Sequence, residues 1–234
     1  ANAREGYADI LGSFKNRVAR FVLSGLVWWV GPWELIAPFS ECEVVEAFWR
    51  LNLKSAAGVD MLDGGTVQGL LWVFLPFVLP FFSLLLRRGI WQMMWAISRV
   101  VVLPKRPKVE TVADTRGVHI LTLLSKWFMM LFVTRVRKWK GCNPFQADFV
   151  RGARTVDHVF LLYLLFTMAT VVRKPLFLVF VDVESCFPSI LGTLMILTWW
   201  ASGIGGSWCR LLWASMAAGR AVLTVNGVRK VLGP

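Results

Sequence analysis

Histidine and tyrosine are scarce in this 234-residue chain, 2 of each, and acid is in deficit, with 14 Asp plus Glu against 26 Lys plus Arg. With only His119 and His158 available, little is left for a His-rich metal site or a nucleophile–His–acid triad. The cysteines Cys42, Cys142, Cys186 and Cys209 never fall in a Cys-x-x-Cys pair. That disfavours both a zinc ribbon and a disulfide framework. The first residues do not read as a signal peptide, because the apolar FVLSGLVWWV starts only at Phe21 and no small-residue cleavage site follows. Disorder is excluded by 56% hydrophobic residues and a mean hydropathy of +0.59. The first residue is Ala and the last two are Gly233-Pro234 without a polar tail, as expected of a piece of a longer reading frame.

What is present is positive charge, 26 Lys plus Arg for a net +12. It is concentrated in residues 87–154, which hold 14 basic residues against Glu110, Asp114 and Asp148. Residues 1–86 carry a net −2 and residues 155–234 a net +3. A block of this kind faces phosphate, in nucleic acid or on a membrane surface, or is a solvated basic face.

The one long apolar run is LLWVFLPFVLPFFSLLL, Leu70 to Leu86, followed by Arg87-Arg88. Its 17 residues sit at the lower limit for a membrane span, which needs roughly 20. The arginine pair would suit a cytoplasmic flank. Pro76 and Pro80 each remove a backbone donor and oppose helix continuation. A buried core helix, or two short helices broken at the prolines, explains the run as well.

Periodicity and breakers give a coarse map. Residues 5–55 read as helices, with Glu41–Leu53 placing Val44, Val45, Phe48, Trp49 and Leu51 near helical spacing behind a Ser40 cap. Ser55–Gly65 is a breaker cluster. Ser98–Leu103 reads as a β-branched strand stopped by Pro104. Leu121–Lys140 reads as a helix with a basic second half. Thr155–Val172 reads as another, with Leu161, Leu162, Leu164 and Leu165 largely buried. Leu176–Val181 is a continuous apolar run, the pattern of a strand covered on both faces, and it ends on Asp182. An acid at the end of a buried strand is costly unless it is paired, hydrogen-bonded or bound to a cation. It serves either as a cap for a helix starting near Pro188 or as a carboxylate for Mg²⁺.

The order of segments from Ala57 onward resembles the reverse transcriptase domain of non-LTR retrotransposons and, more loosely, group II intron reverse transcriptases. A Gly-x-Asp turn is matched by Gly58-Val59-Asp60. Trp95 and VVLPK with Lys105 match a Trp before a strand ending Pro-Lys. RGVHILTLLSKWFMMLFVTR is similar to the Arg-Pro-Ile block and its Leu-rich helix, with Arg116, Lys126 and Arg135 at the expected places. QADFVRGARTVDHVF echoes a Gln-x-Gly-Phe-Arg-x-Gly-Arg-Ser-Thr-x-Asp block, with Gln146, Phe149, Gly152, Thr155 and Asp157 retained. FVDVESCFPSI then resembles the polymerase A motif, and a GIGG turn, a helix near Leu211 and a strand VLTVNG follow. GVRKVLGP looks like the start of the B motif. The resemblance covers about 175 of the 234 residues.

The resemblance implies an α+β fold: a helical N-terminal extension at 1–54, right-hand polymerase fingers at 55–175 and an incomplete palm at 176–234. It implies RNA-directed DNA polymerisation on an RNA template and DNA primer, with dNTP and Mg²⁺. Asp182 would be the catalytic, metal-binding aspartate, and Phe187 the steric gate against a 2′-hydroxyl, with Val183 beside them at the nucleotide. Lys105 and Arg116 would contact the triphosphate, since cationic donors suit phosphate oxygens. Lys126, Arg135, Arg137, Lys138, Gln146, Arg151 and Arg154 would track template or primer. Such a protein would be nuclear or cytoplasmic. The alternatives are a small basic membrane protein anchored by residues 70–86 and a non-catalytic nucleic-acid-binding remnant.

The departures from the pattern are specific. Asp148 stands where Gly is usual, Val150 where Arg is usual, and Gly117-Val118 replaces Pro-Ile. The Gln-Gly pair of the B motif is missing, with Lys230 in its neighbourhood. An aromatic-x-Asp-Asp C motif does not occur in the chain. With one of its aspartates, two-metal catalysis is not expected. Thirteen Trp against two Tyr, together with the lost motif residues, fits an element copy drifting without selection.

Overall fold

The computed structural model describes residues 32–108, 111, 114–140, 146, 147, 150, 152–183, 190–225 and 228–232. The chain divides into two compact units, one of Ala1–Trp139 with Leu191–Pro234 and one of Lys140–Ile190. The described residues are mixed α+β, with eight α-helices and a four-stranded sheet.

In the first unit, α1 (Trp33–Ile36) leads into α2 (Glu41–Trp49). Ser40 caps α2 as expected: its Oγ accepts the Glu43 N–H at 3.3 Å, and its own N–H donates to Glu43 Oε2 at 3.0 Å. The helix ends at Trp49, short of Leu53, and buries Val44, Ala47 and Phe48 while Trp49 stands exposed. A short α3 (Gly64–Gly69) runs into α4 (Leu71–Arg88).

Neither proline breaks α4. Pro76 and Pro80 lie on its exposed face, so the carbonyls they leave without donors, those of Trp72 and Pro76, open to water. The opposite face carries Leu71, Leu75, Val78, Phe82, Leu85 and Leu86 into the core at a helical period. Gly89 ends the helix in the left-handed region at φ 64°, its N–H donating to Leu85 O at 2.8 Å.

A 3₁₀ turn (Met93–Ala96) precedes β1 (Ile97–Pro104) and β2 (Thr115–Ile120). The helix α5 (Leu123–Lys140) follows. In the second unit, α6 spans Thr155–Val172. Back in the first unit come α7 (Gly192–Ala201), α8 (Gly206–Ala217), β3 (Arg220–Val225) and β4 (Val228–Leu232). The sheet order is β2-β1-β3-β4. β1 is antiparallel to β2 and parallel to β3, and β3 is antiparallel to β4. β3 pairs with β1 only from Ile97 to Val100. Beyond that point β1 has β2 alone, and Pro104 fits at the strand end because no ladder on its other side needs its missing N–H.

The core is aromatic. Phe82 meets Phe128 at 5.3 Å and Trp127 at 5.6 Å between ring centroids, both edge-on, and Phe128 meets Trp208 at 5.4 Å. The two buried indoles find acceptors, Trp127 Nε1 on Val44 O at 2.8 Å and Trp208 Nε1 on Leu35 O at 2.7 Å.

Two expectations for the second unit are corrected. Leu176–Val181 forms no strand, and Phe177, Val179, Phe180 and Val181 are more than three-quarters exposed. An isolated apolar run gains nothing from extended backbone without a neighbouring strand to take its N–H and C=O groups. α6 is a helix as read, but none of its residues is buried, and Leu161, Leu164 and Leu165 are exposed. Helical propensity needs no partner, whereas burial does.

Candidate nucleic-acid interface

The Gly58-Val59-Asp60 turn is seated on the start of α5. Asp60 Oδ2 accepts the Leu123 N–H at 3.3 Å and its Oδ1 accepts the Leu62 N–H at 3.4 Å, tying the turn to a helix end rich in free donors. A Cβ at Gly58 would stand 2.7 Å from Leu121 O and Thr122 Cα, so only glycine lets the two backbones approach this closely. Lys126 lies on the first turns of α5 and donates to Ser55 Oγ at 3.3 Å and Ala56 O at 3.4 Å. Partial burial lowers its pKa, against a pull upward from Asp60.

Lys105 and Arg116 stand on the β1–β2 hairpin. Leu103 is opposite Arg116, and the ladder continues past the strands through the Lys105 N–H to Asp114 O at 2.7 Å. By strand alternation Lys105, Leu103 and Arg116 share one face, and both cations are exposed. Arg106 adds a third cation, 3.4 Å from Asp114.

The basic end of α5 divides by helical face. Arg137 and Lys138 are exposed, and Lys138 Nζ approaches Glu46 at 3.4 Å. Arg135 lies on the other face and is only 5% exposed. Its Nε and Nη2 donate to the two Glu43 oxygens at 2.9 Å, Nη1 to Leu35 O at 3.2 Å and to Ala37 O, and Nη2 to Pro38 O at 3.0 Å. The guanidinium also lies over the Phe39 ring at 4.2 Å. All five N–H donors are used inside the fold, so the expectation that Arg135 tracks a phosphate backbone is corrected. The sequence placed it correctly on a basic helix but could not show which face would be covered.

In the second unit Arg154 is exposed, and its N–H donates to Asp157 Oδ2 at 3.1 Å as α6 begins. Gln146 is exposed. Arg151 and Phe187 lie outside the described residues. Asp182 is exposed and accepts the Val183 N–H at 2.9 Å, and Val183 itself is exposed. Among the described residues no group of three or more His, Cys, Asp or Glu side chains could hold a metal ion. Mg²⁺ at a nucleotidyl-transfer centre is held by carboxylates acting together, so the described residues do not fit such a centre.

One residue escaped the sequence reading. Arg99 interrupts the apolar strand β1, and a lone charge inside such a strand was the available signal. No family model matches the chain, and no curated protein matches it.

Proposed function

We propose that the chain is a fingers-like piece of an RNA-directed DNA polymerase of the non-LTR retroelement kind, facing nucleic acid and nucleotide through its basic middle segment. The observation that carries the reading is the β1–β2 hairpin, whose register sets Lys105 and Arg116, from separate sequence blocks, on one exposed face. The Gly58–Asp60 turn against Lys126 supports it, since another pair of resembling blocks meets there.

The test is binding of a primer–template duplex and of single-stranded RNA across a salt series, followed by fluorescence anisotropy. Phosphate contacts require affinity to fall linearly in log–log form as salt rises. Lys105→Gln with Arg116→Gln should flatten that slope by about two ion equivalents, and Asp182→Ala should leave binding unchanged. Salt-insensitive binding, or an unchanged slope in the double variant, would overturn the proposal.

A membrane reading has one observation in its favour. α6 is 18 residues long with a mean hydropathy of 1.7, and none of it is buried. The run first suspected, α4, is weaker in this respect because a third of it is buried against the core. Solubility that requires detergent would support the membrane reading over the polymerase one.

A further inference from the structure

A cleft of about 330 Å³ opens where the start of β3 joins β1, next to the last residues of β2. That volume lies at the small end of the range for small-molecule sites, about 300–1,000 Å³. Part of its wall is aromatic: Trp91 and Trp95 meet edge-on at 5.5 Å between ring centroids, and Met129 of α5 lines the same cleft. Another part is polar. Ser98 Oγ lies 2.8 Å from His119 Nδ1 and donates to Arg220 O at 3.3 Å, so one hydroxyl ties β1, β2 and β3 together and orients the imidazole. Trp95 and Ser98 are buried, at 5% and 6% exposure, whereas His119 and Arg220 are exposed. Two donors are left over. Trp91 Nε1 is buried without a hydrogen-bond partner and the Arg220 guanidinium makes no ion pair, in both cases among the described residues. No Asp or Glu is among the described residues that line the cleft.

Each of these features asks for its complement in an occupant. A buried N–H is costly until it meets an acceptor. A guanidinium at an acid-free mouth favours an anion, and its planar fork of donors matches a carboxylate. The walls select the remainder of the molecule, because an edge-on indole pair and a thioether favour an aromatic ring over an alkyl chain of equal area. We propose that the cleft binds a small aromatic carboxylate, with its ring against Trp91, Trp95 and Met129 and its carboxylate toward Arg220 and His119. The site stands apart from the polymerase reading, whose cations Lys105 and Arg116 do not line the cleft.

The full 234-residue chain would be titrated calorimetrically with 2-naphthoate, with naphthalene-2-carboxamide and with acetate. The amide keeps the ring and loses the charge, and acetate keeps the charge and loses the ring. Naphthoate should bind about tenfold tighter than the amide, the charge-assisted bond to Arg220 making the difference, and acetate should give no saturable heat. Arg220→Gln should weaken naphthoate binding about tenfold and leave the amide unchanged. Because the Arg220 side chain is exposed, this variant leaves the core intact. Trp91→Phe keeps a ring, removes the unpartnered N–H and should weaken naphthoate several-fold. Should Trp91→Phe melt lower than the parent, Arg220→Gln and the comparison of acid with amide decide the matter. Arg50→Gln, a surface cation paired with Glu46, should change nothing. The proposal is overturned by the absence of saturable heat with naphthoate, by equal affinities for naphthoate and the amide, or by naphthoate affinity equal in the parent and Arg220→Gln. Acetate binding as tight as that of naphthoate would reduce the site to a surface cation and overturn it as well.

Discussion

Replacing Arg135 by Met separates a structural arginine from a phosphate-binding one. The side chain is 5% exposed and occupies its donors on Glu43, Leu35, Ala37 and Pro38. Methionine would fill most of the volume over Phe39 but take their arginine donors from the Ala37 and Pro38 carbonyls and from the Glu43 carboxylate, while Leu35 O keeps Trp208 Nε1 and Glu43 keeps Ser40. Breaking a buried pair in this way costs about 3–5 kcal/mol. The lower end applies here, because Glu43 retains 26% exposure and can recruit water. Against a typical stability of about 5–15 kcal/mol this is a large loss, and it lowers the thermal midpoint by roughly 10 °C for a chain of this size. Urea denaturation followed by tryptophan fluorescence would measure it. A cycle with Glu43→Gln should give a coupling above about 1 kcal/mol. The pH dependence supplies a second reading. Burial alone would raise the Glu43 carboxyl, but the hydrogen bonds from Arg135 and Ser40 outweigh it and hold the group below its ordinary 4.5. Its stabilising contribution is therefore present above that value and lost as pH falls through the lower, folded one. The parent should lose stability faster than Glu43→Gln on acidification below about pH 4.5. A midpoint unchanged in Arg135→Met, with nucleic-acid affinity lost instead, would refute the reasoning and return Arg135 to the phosphate-tracking set.

Two further outcomes follow from local geometry. Gly58→Ala forces a Cβ against the Leu121 carbonyl and Thr122 Cα, both backbone, and should cost about 1–3 kcal/mol by chemical denaturation. A loss below a few tenths would mean that the turn does not sit on α5. Cys209 is buried, and desolvation lifts its thiol to about 11, so it should resist iodoacetamide at pH 8 while exposed Cys42 reacts. Peptide mapping by mass spectrometry checks this, and equal labelling of both in the native chain would contradict the burial.

Much of the first unit was legible because its signals are local. Ser40 and Glu43 announce a cap three residues apart, and the β-branched run at 98–103 announces a strand. α4 was harder to read, since proline in a helix is penalised only by what happens to the orphaned carbonyl, and that depends on which face meets water. Arg135 shows the opposite limit: its charge is visible in the sequence, but the pairing with Glu43 that buries it is a fact of three dimensions.

The amino-acid sequence by itself determined the basic middle segment, the helices near 41–53, 121–140 and 155–172, the place of β1, and the order of blocks on which the proposed reverse transcriptase resemblance rests. These depend on composition and short-range periodicity, which need no partner. The tertiary structure alone decided that Arg135 is spent inside the fold and that Lys105 and Arg116 share a hairpin face. It also decided that Leu176–Val181 forms no strand and that α6 buries none of its apolar surface. Charge pairing, sheet register and burial are relations between distant residues, and a run of side chains acquires them only when something is packed against it.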